Sequence, residues 1–215
     1  MTPSLSSVYD TLVAHAATEH LADVVAPVRS AFQRRVGPYA PTDAWYEERA
    51  AALWDRVLTD RAVLARMREL RPPSFGRDHL AALDGLVHAQ RGLFEVHAQH
   101  ELVDLVCVVT GAAFRLAPSD DAGRALTLGG SRDEGVSPGV IDARVLPMPE
   151  GVCILPAVLA HPAEATEPIH AVIARAIERA LPIDDLLDGL LSMRHRYSAL
   201  SRMKVKQIYR AEGLG

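Results

Sequence analysis

Lysine is nearly missing from this chain of 215 residues: Lys204 and Lys206 are the only two, and arginine supplies every other fixed positive charge. Aromatic residues are scarce too, at 5%. A core without them must be built from Leu, Val, Ile and Ala, and few flat rings remain for stacking bases or sugars. The two cysteines, Cys107 and Cys153, have no metal-ligand spacing around them. They read as buried free thiols in a reducing cytoplasm, with a disulfide between neighbouring strands as the alternative. No apolar run approaches the roughly 20 residues of a membrane span, so no membrane partner is expected. Met1 to Ala17 also lacks the basic start and apolar centre of an export signal. The formal charge of −4 argues against a surface that coats nucleic acid.

Motifs that cradle phosphates or hold metals are missing as well. There is no G-x-x-x-x-G-K-S/T loop, no G-x-G-x-x-G after a strand, no H-E-x-x-H and no paired C-x-x-C. Nucleotide hydrolysis and cofactor-dependent chemistry are disfavoured, and neither a cofactor nor a metal is expected.

What is present is a soluble composition, 49% hydrophobic and 23% charged, in a chain of single-domain length. Val8, Leu12, Val13, Leu21, Val24 and Val28 recur at helical spacing, predicting a helix that Pro27 kinks or restarts and Gly37-Pro38 ends. Pro41-Thr42-Asp43 opens a second helix with Trp45, Leu53, Trp54, Val57 and Leu58. Thr59-Asp60 caps a third, and Asp78 a short fourth. From Phe94 the period changes to that of strands. Phe94 to Gln99 alternates, Leu102 to Val109 is almost unbroken, and Ala112 to Ala117, Val140 to Pro147 and Val152 to Ala160 follow. Residues 118–139 form a long irregular segment. Thr166 starts a further helix, and the last is predicted from Ile183 to about Arg210. The expected fold is α+β: a central, mostly antiparallel β-sheet or small barrel over about residues 94–160, flanked by N-terminal and C-terminal helices. It is read as one domain, with residues 1–92 helical, 93–161 the β core and 162–215 helical.

Three motifs carry chemistry on paper. Gly135-Val136-Ser137-Pro138-Gly139 matches G-x-S-x-G, but the residue after the serine must donate its N–H to an oxyanion, and Pro138 has none. Asp184-Asp185-Leu186-Leu187-Asp188 matches the D-D-x-x-D pattern that holds Mg²⁺ in isoprenoid synthases, without the second metal motif of such enzymes. Acidic residues in the first turns of a helix also complement its dipole, and that reading is preferred. His97 and His100 are three apart in a strand, so they face opposite sides and cannot share a metal unless a turn intervenes.

Strand parity gives the candidate catalytic group. Glu95, His97 and Gln99 share one face, Asp104 stands among apolar neighbours, and Asp142 shares a face with Arg144. If these faces meet, His97 is the acid–base residue and Asp104 or Asp142 orients it. If they face water, they form cross-strand ion pairs. The last helix carries the candidate binding surface: Arg196, Arg202, Lys206 and Arg210 fall on one stripe opposite Leu186, Leu190, Met193, Tyr197 and Leu200. The expectation is a cytoplasmic, non-enzymatic interaction or regulatory protein, binding another protein or its own copy through that stripe. A small-molecule enzyme at His97 and a nucleic-acid binder using the last helix are the alternatives.

Overall fold

The structure, a computed structural model, describes residues 5–43, 45–99, 102–117, 120, 139–149, 151–200 and 203–210. Five helices come first: α1 (Leu5–Ala16), α2 (Ala22–Val36), α3 (Tyr46–Leu58), α4 (Arg61–Glu69) and α5 (Arg77–Leu86). The break after α1 lies at Thr18, whose hydroxyl donates to the His15 carbonyl at 2.8 Å, and not at Pro27. Pro27 stays inside α2, because Val25, Phe32 and Val36 on either side of it are buried and outweigh one missing backbone bond. Asp60 caps α4 as predicted, accepting the N–H groups of Ala62 and Val63 at 2.9 and 3.1 Å. Asp78 is not a cap. It sits in the first turn of α5, behind Gly76.

Six strands follow: β1 (Gln90–Gln99), β2 (Leu102–Cys107), β3 (Ala113–Arg115), β4 (Val140–Met148), β5 (Gly151–Ile154) and β6 (Leu159–His161). They form one antiparallel sheet in the order β3-β2-β1-β4-β5, with β6 paired to the start of β4. The expected single strand over Val152 to Ala160 is split in two around Pro156, which cannot donate to a ladder. The sheet curls into a half-barrel, and a parallel bridge from Leu116 to Val152 brings its edges together. Phe94, Leu105, Ile141, Val145 and Ile154 fill the inside, where Phe94 meets Phe114 edge to face.

The bridge demands a glycine. Gly151 has φ +145°, and a Cβ there would lie 2.4 Å from the Arg115 carbonyl oxygen and 3.3 Å from the Ala117 nitrogen. Both obstacles are backbone, so relief requires parting β3 from β5. Gly151→Ala is expected to cost about 2 kcal/mol in urea unfolding. A cost under about 0.5 kcal/mol would show that the edges are not tightly joined.

The outer face of the sheet is covered twice. Leu146 joins the core of α1 to α5, which also takes in Leu155, Ala157, Leu159 and Leu191. Leu93 and Val140 pack instead under α6 (Thr166–Glu178) and α7 (Ile183–Ala199), against Ile169, Val172, Leu186 and Leu190. The predicted last helix is therefore corrected. It stops at Ala199, and a separate turn of helix, α8 (Val205–Ile208), follows. The final turns do not project. Ile208 and Tyr209 are buried in the core beneath α6 and α7, which a straight helix would not allow them to reach.

Candidate functional site

Between the two outer cores the apolar surface gives way to charge. The outward residues of β4 run Val140, Asp142, Arg144, Leu146: an apolar residue for each core and two charged ones at the seam. Arg91 on β1 grips Asp142 with two parallel bonds, Nε to Oδ1 at 2.9 Å and Nη2 to Oδ2 at 2.7 Å. Its remaining nitrogen, Nη1, donates to Oδ1 of Asp188 on α7 at 2.5 Å. Asp188 Oδ2 in turn accepts from Arg35 of α2 at 3.2 Å and Arg56 of α3 at 3.4 Å. Arg35 also reaches Asp185 at 2.9 Å. Five elements from both ends of the chain meet on these carboxylates. Burial alone would lower the pKa of Arg91, but the charge of Asp142, its hydrogen bonds and Asp188 together raise it.

A second buried carboxylate lies beside the seam. Asp55 of α3 has no exposed surface; it accepts the Tyr9 hydroxyl and the Ala157 N–H, the latter at 3.3 Å. Desolvation pushes its pKa up to about 6, against the pull of these bonds and of Arg144. Burial, then the charge of Asp55, raises the Tyr9 hydroxyl well above its ordinary value. The half-buried guanidinium of Arg144 makes no direct hydrogen bond or ion pair with the described residues, and the charges of Asp55 and Asp142 act on it through space. Burial, followed by the like charge of Arg91, lowers its pKa to about 10, so it remains charged at neutral pH.

Farther along the outer face sit two buried histidines. His161 on β6 meets the Tyr209 hydroxyl through Nδ1 at 2.9 Å, and its Nε2 has no protein partner. His195 on α7 has no partner at either ring nitrogen. Desolvation, with Arg194 contributing to both and Arg49 to His195, lowers them to about 4 and about 3. Arg194 donates from Nε to the Ala160 carbonyl at 2.6 Å and lies 3.8 Å over the ring of Trp45. Trp45 starts α3 in the left-handed region, φ 68°, a conformation that this clamp helps to hold.

The residues read from the sequence divide between faces. His97 and Asp104 are cross-strand partners in register, His97 exposed and Asp104 half-buried, with Asp104 paired to Arg115 at 2.9 Å. That hydrogen bond, more than the charge itself, holds the Asp104 carboxyl below its usual range. Asp142 is opposite Leu93, four residues from His97 and about 13 Å along the strand, and its oxygens are occupied by Arg91. The structure thus brings His97 to one of the two aspartates, on open surface. Glu95 joins His97 at 3.6 Å and His170 of α6 at 3.4 Å. Among the described residues no group of three or more His, Cys, Asp or Glu is arranged to hold a metal. In the D-D-x-x-D segment, Asp185 and Asp188 serve arginines. His100, Ser137, Pro138 and Arg202 lie outside the described residues.

On the C-terminal surface Arg196, Lys206 and Arg210 are exposed. Lys206 reaches Glu167 at 3.1 Å, and Arg210 Nε donates to the Lys206 carbonyl at 3.3 Å. Where the long helix has ended, Leu200 and Met203 are 40% and 37% exposed, near this charge in the sequence. Arg91, Asp55 and His161 were not singled out by the sequence, and Arg144 was noted only as sharing a face with Asp142. Arg91 precedes the alternation that marks β1, Asp55 stands beside Arg56 in an otherwise apolar helix segment, and His161 is one polar residue at a strand end, patterns shared by many exposed positions. Both cysteines are free and buried, and burial raises the Cys153 thiol to about 11. Among the described residues no helix is long and apolar enough to cross a membrane. The chain matches no protein-family model, no curated protein and no solved structure.

Proposed function

We propose that this chain is a non-enzymatic protein-interaction protein that docks an acidic segment of a partner protein around the break in its C-terminal helix. The supporting observation is the exposure of Leu200 and Met203 within a rim of Arg196, Lys204, Lys206 and Arg210. Buried Ile208 and Tyr209 pin this surface to the body of the protein, so little ordering entropy is lost when a partner binds. An apolar centre ringed by one sign of charge suits a partner segment of acidic and apolar residues. The Lys206–Glu167 pair is largely exposed and opposes docking little. Two free thiols support a reducing compartment, the cytoplasm, as the place where it works.

The test compares the natural chain with Arg196→Gln, Lys204→Gln, Arg210→Gln combined with Met203→Ser. Binding of an immobilised library of acidic, leucine-containing peptides should fall at least tenfold in the variant. It should also weaken moderately between about 50 and 200 mM salt. Binding to duplex DNA with a much steeper salt slope would favour nucleic acid instead. Equal binding by both proteins would sink the proposal.

A further inference from the structure

The short α8 and the Tyr209 that follows it hold to the body through two buried side chains, Ile208 and Tyr209, and the tyrosine hydroxyl ends on a histidine. That histidine, His161, is 1% exposed and sits in β6, in register with Val140 of β4. Its Nδ1 lies 2.9 Å from the hydroxyl, and the two rings meet edge to face at 5.7 Å. A neutral ring suits this place, because the hydroxyl can match Nδ1 with or without a proton. A second proton would make Nε2 a charged donor, and Nε2 is buried with no acceptor among the described residues. The neighbouring Ala160 carbonyl already accepts from Arg194 at 2.6 Å. Charges on three other elements act on the ring. Burial opposes an imidazolium most, Asp142 of β4 favours it, and Arg194 of α7 and Arg91 of β1 oppose it, leaving His161 at about 4. Asp142 gives limited help, since both of its oxygens are bonded to Arg91. His195 of α7 is also within electrostatic reach, and it is neutral too.

We propose that α8 and Tyr209 form an acid-released clasp: protonation of His161 frees the Tyr209 side chain, and the terminal turn lifts away while the sheet and α7 stay folded. The turn is the part that yields. His161 is held in place by the ladder between β6 and β4, whereas α8 is joined to α7 across a break in the helix. Lifting the turn lets water reach Nε2 and uncovers part of the core beneath α6 and α7. With the ring near 4 when closed and about 6.5 when hydrated, the ratio of open to closed turn rises about 20-fold from pH 7 to pH 5.

Hydrogen exchange at the Gln207 and Tyr209 amides, which bond to the Lys204 and Val205 carbonyls inside the turn, reads this opening directly. Corrected for intrinsic rates, their protection in the natural chain should fall about 20-fold between pH 7 and pH 5. The fall should be the same with and without about 1 M urea, because a local opening exposes little surface, while amides of β1 and β4 lose protection in urea. In His161→Gln, which keeps a polar partner for Tyr209 but does not titrate, the fall should vanish. Protection that is constant with pH, that falls equally in His161→Gln, or that follows the β1 and β4 amides in urea would overturn the proposal. If His161→Gln does not fold, the urea comparison in the natural chain decides alone.

Discussion

Arg91→Met is expected to lower the free energy of unfolding by about 3–5 kcal/mol, because it strands the carboxylate of Asp142 in a place that water does not reach. The side chains of Arg91, Asp142 and Asp188 are 7%, 2% and 3% exposed. Asp188 keeps Arg35 and Arg56 after the substitution, whereas the Asp142 carboxylate keeps no hydrogen-bond donor among the described residues. Adding Asp142→Leu should therefore recover more than half of the loss, since an apolar pair of similar volume serves a buried position about as well as an ion pair. Urea unfolding of the two single variants and the double variant measures the coupling between them, expected near 2–3 kcal/mol. A loss below about 1 kcal/mol for Arg91→Met would mean that the seam is wet and its charges are solvated.

Acid is the second large perturbation. His161 and His195 are neutral in the fold, with values near 4 and 3, and take up protons near 6.5 when unfolded. Their contribution is complete above pH 6.5 and is lost as the pH falls through that window. Asp55 acts in the opposite sense. Its folded value near 6 exceeds the unfolded 3.9 or so, so its contribution is complete below that and is lost as the pH rises through 6. Between about pH 6 and pH 4 the unfolded chain thus binds two histidine protons, while the folded chain binds one at Asp55. Stability should fall by about 1.4 kcal/mol per pH unit on acidification, or about 3 kcal/mol over the window. Urea midpoints at pH 6, 5 and 4 test this, and His195→Leu should bring the slope close to zero. A natural chain equally stable at pH 6 and 4 would show that these histidines are hydrated in solution.

Much of the architecture was legible along the chain. The alternation after Phe94, the unbroken run from Leu102 and the cap at Asp60 each depend on neighbours within a few residues; the cap and the start of β2 lie where local chemistry placed them, whereas β1 begins earlier, at Gln90, and β2 ends at Cys107, short of Val109. The C-terminal helix was legible only in part. Spacing continues helically past Leu200, but Ile208 and Tyr209 gain more by turning back into the core than by extending a solvated helix. Of the proposed binding residues, Arg196, Lys206 and Arg210 emerged on the surface as charge pattern implied, since long cationic side chains are rarely buried without partners.

The candidate catalytic residues mark the boundary between the two levels. Asp104 and Asp142 look alike in sequence: each is one acidic residue in an apolar strand. Asp104 faces water and pairs with Arg115 across one strand, eleven positions away. Asp142 is sealed beneath helices and pairs with Arg91, itself bonded to an aspartate 97 positions distant. By itself, the sequence determined that this chain forms helices around a mostly antiparallel sheet or small barrel, because helix and strand periods are properties of consecutive residues. Only the tertiary structure decided which polar residues became an ionic seam and which a solvated surface. Burial and partner choice are set by the register of strands and the helices that cover them, and those are contacts between residues far apart in the chain.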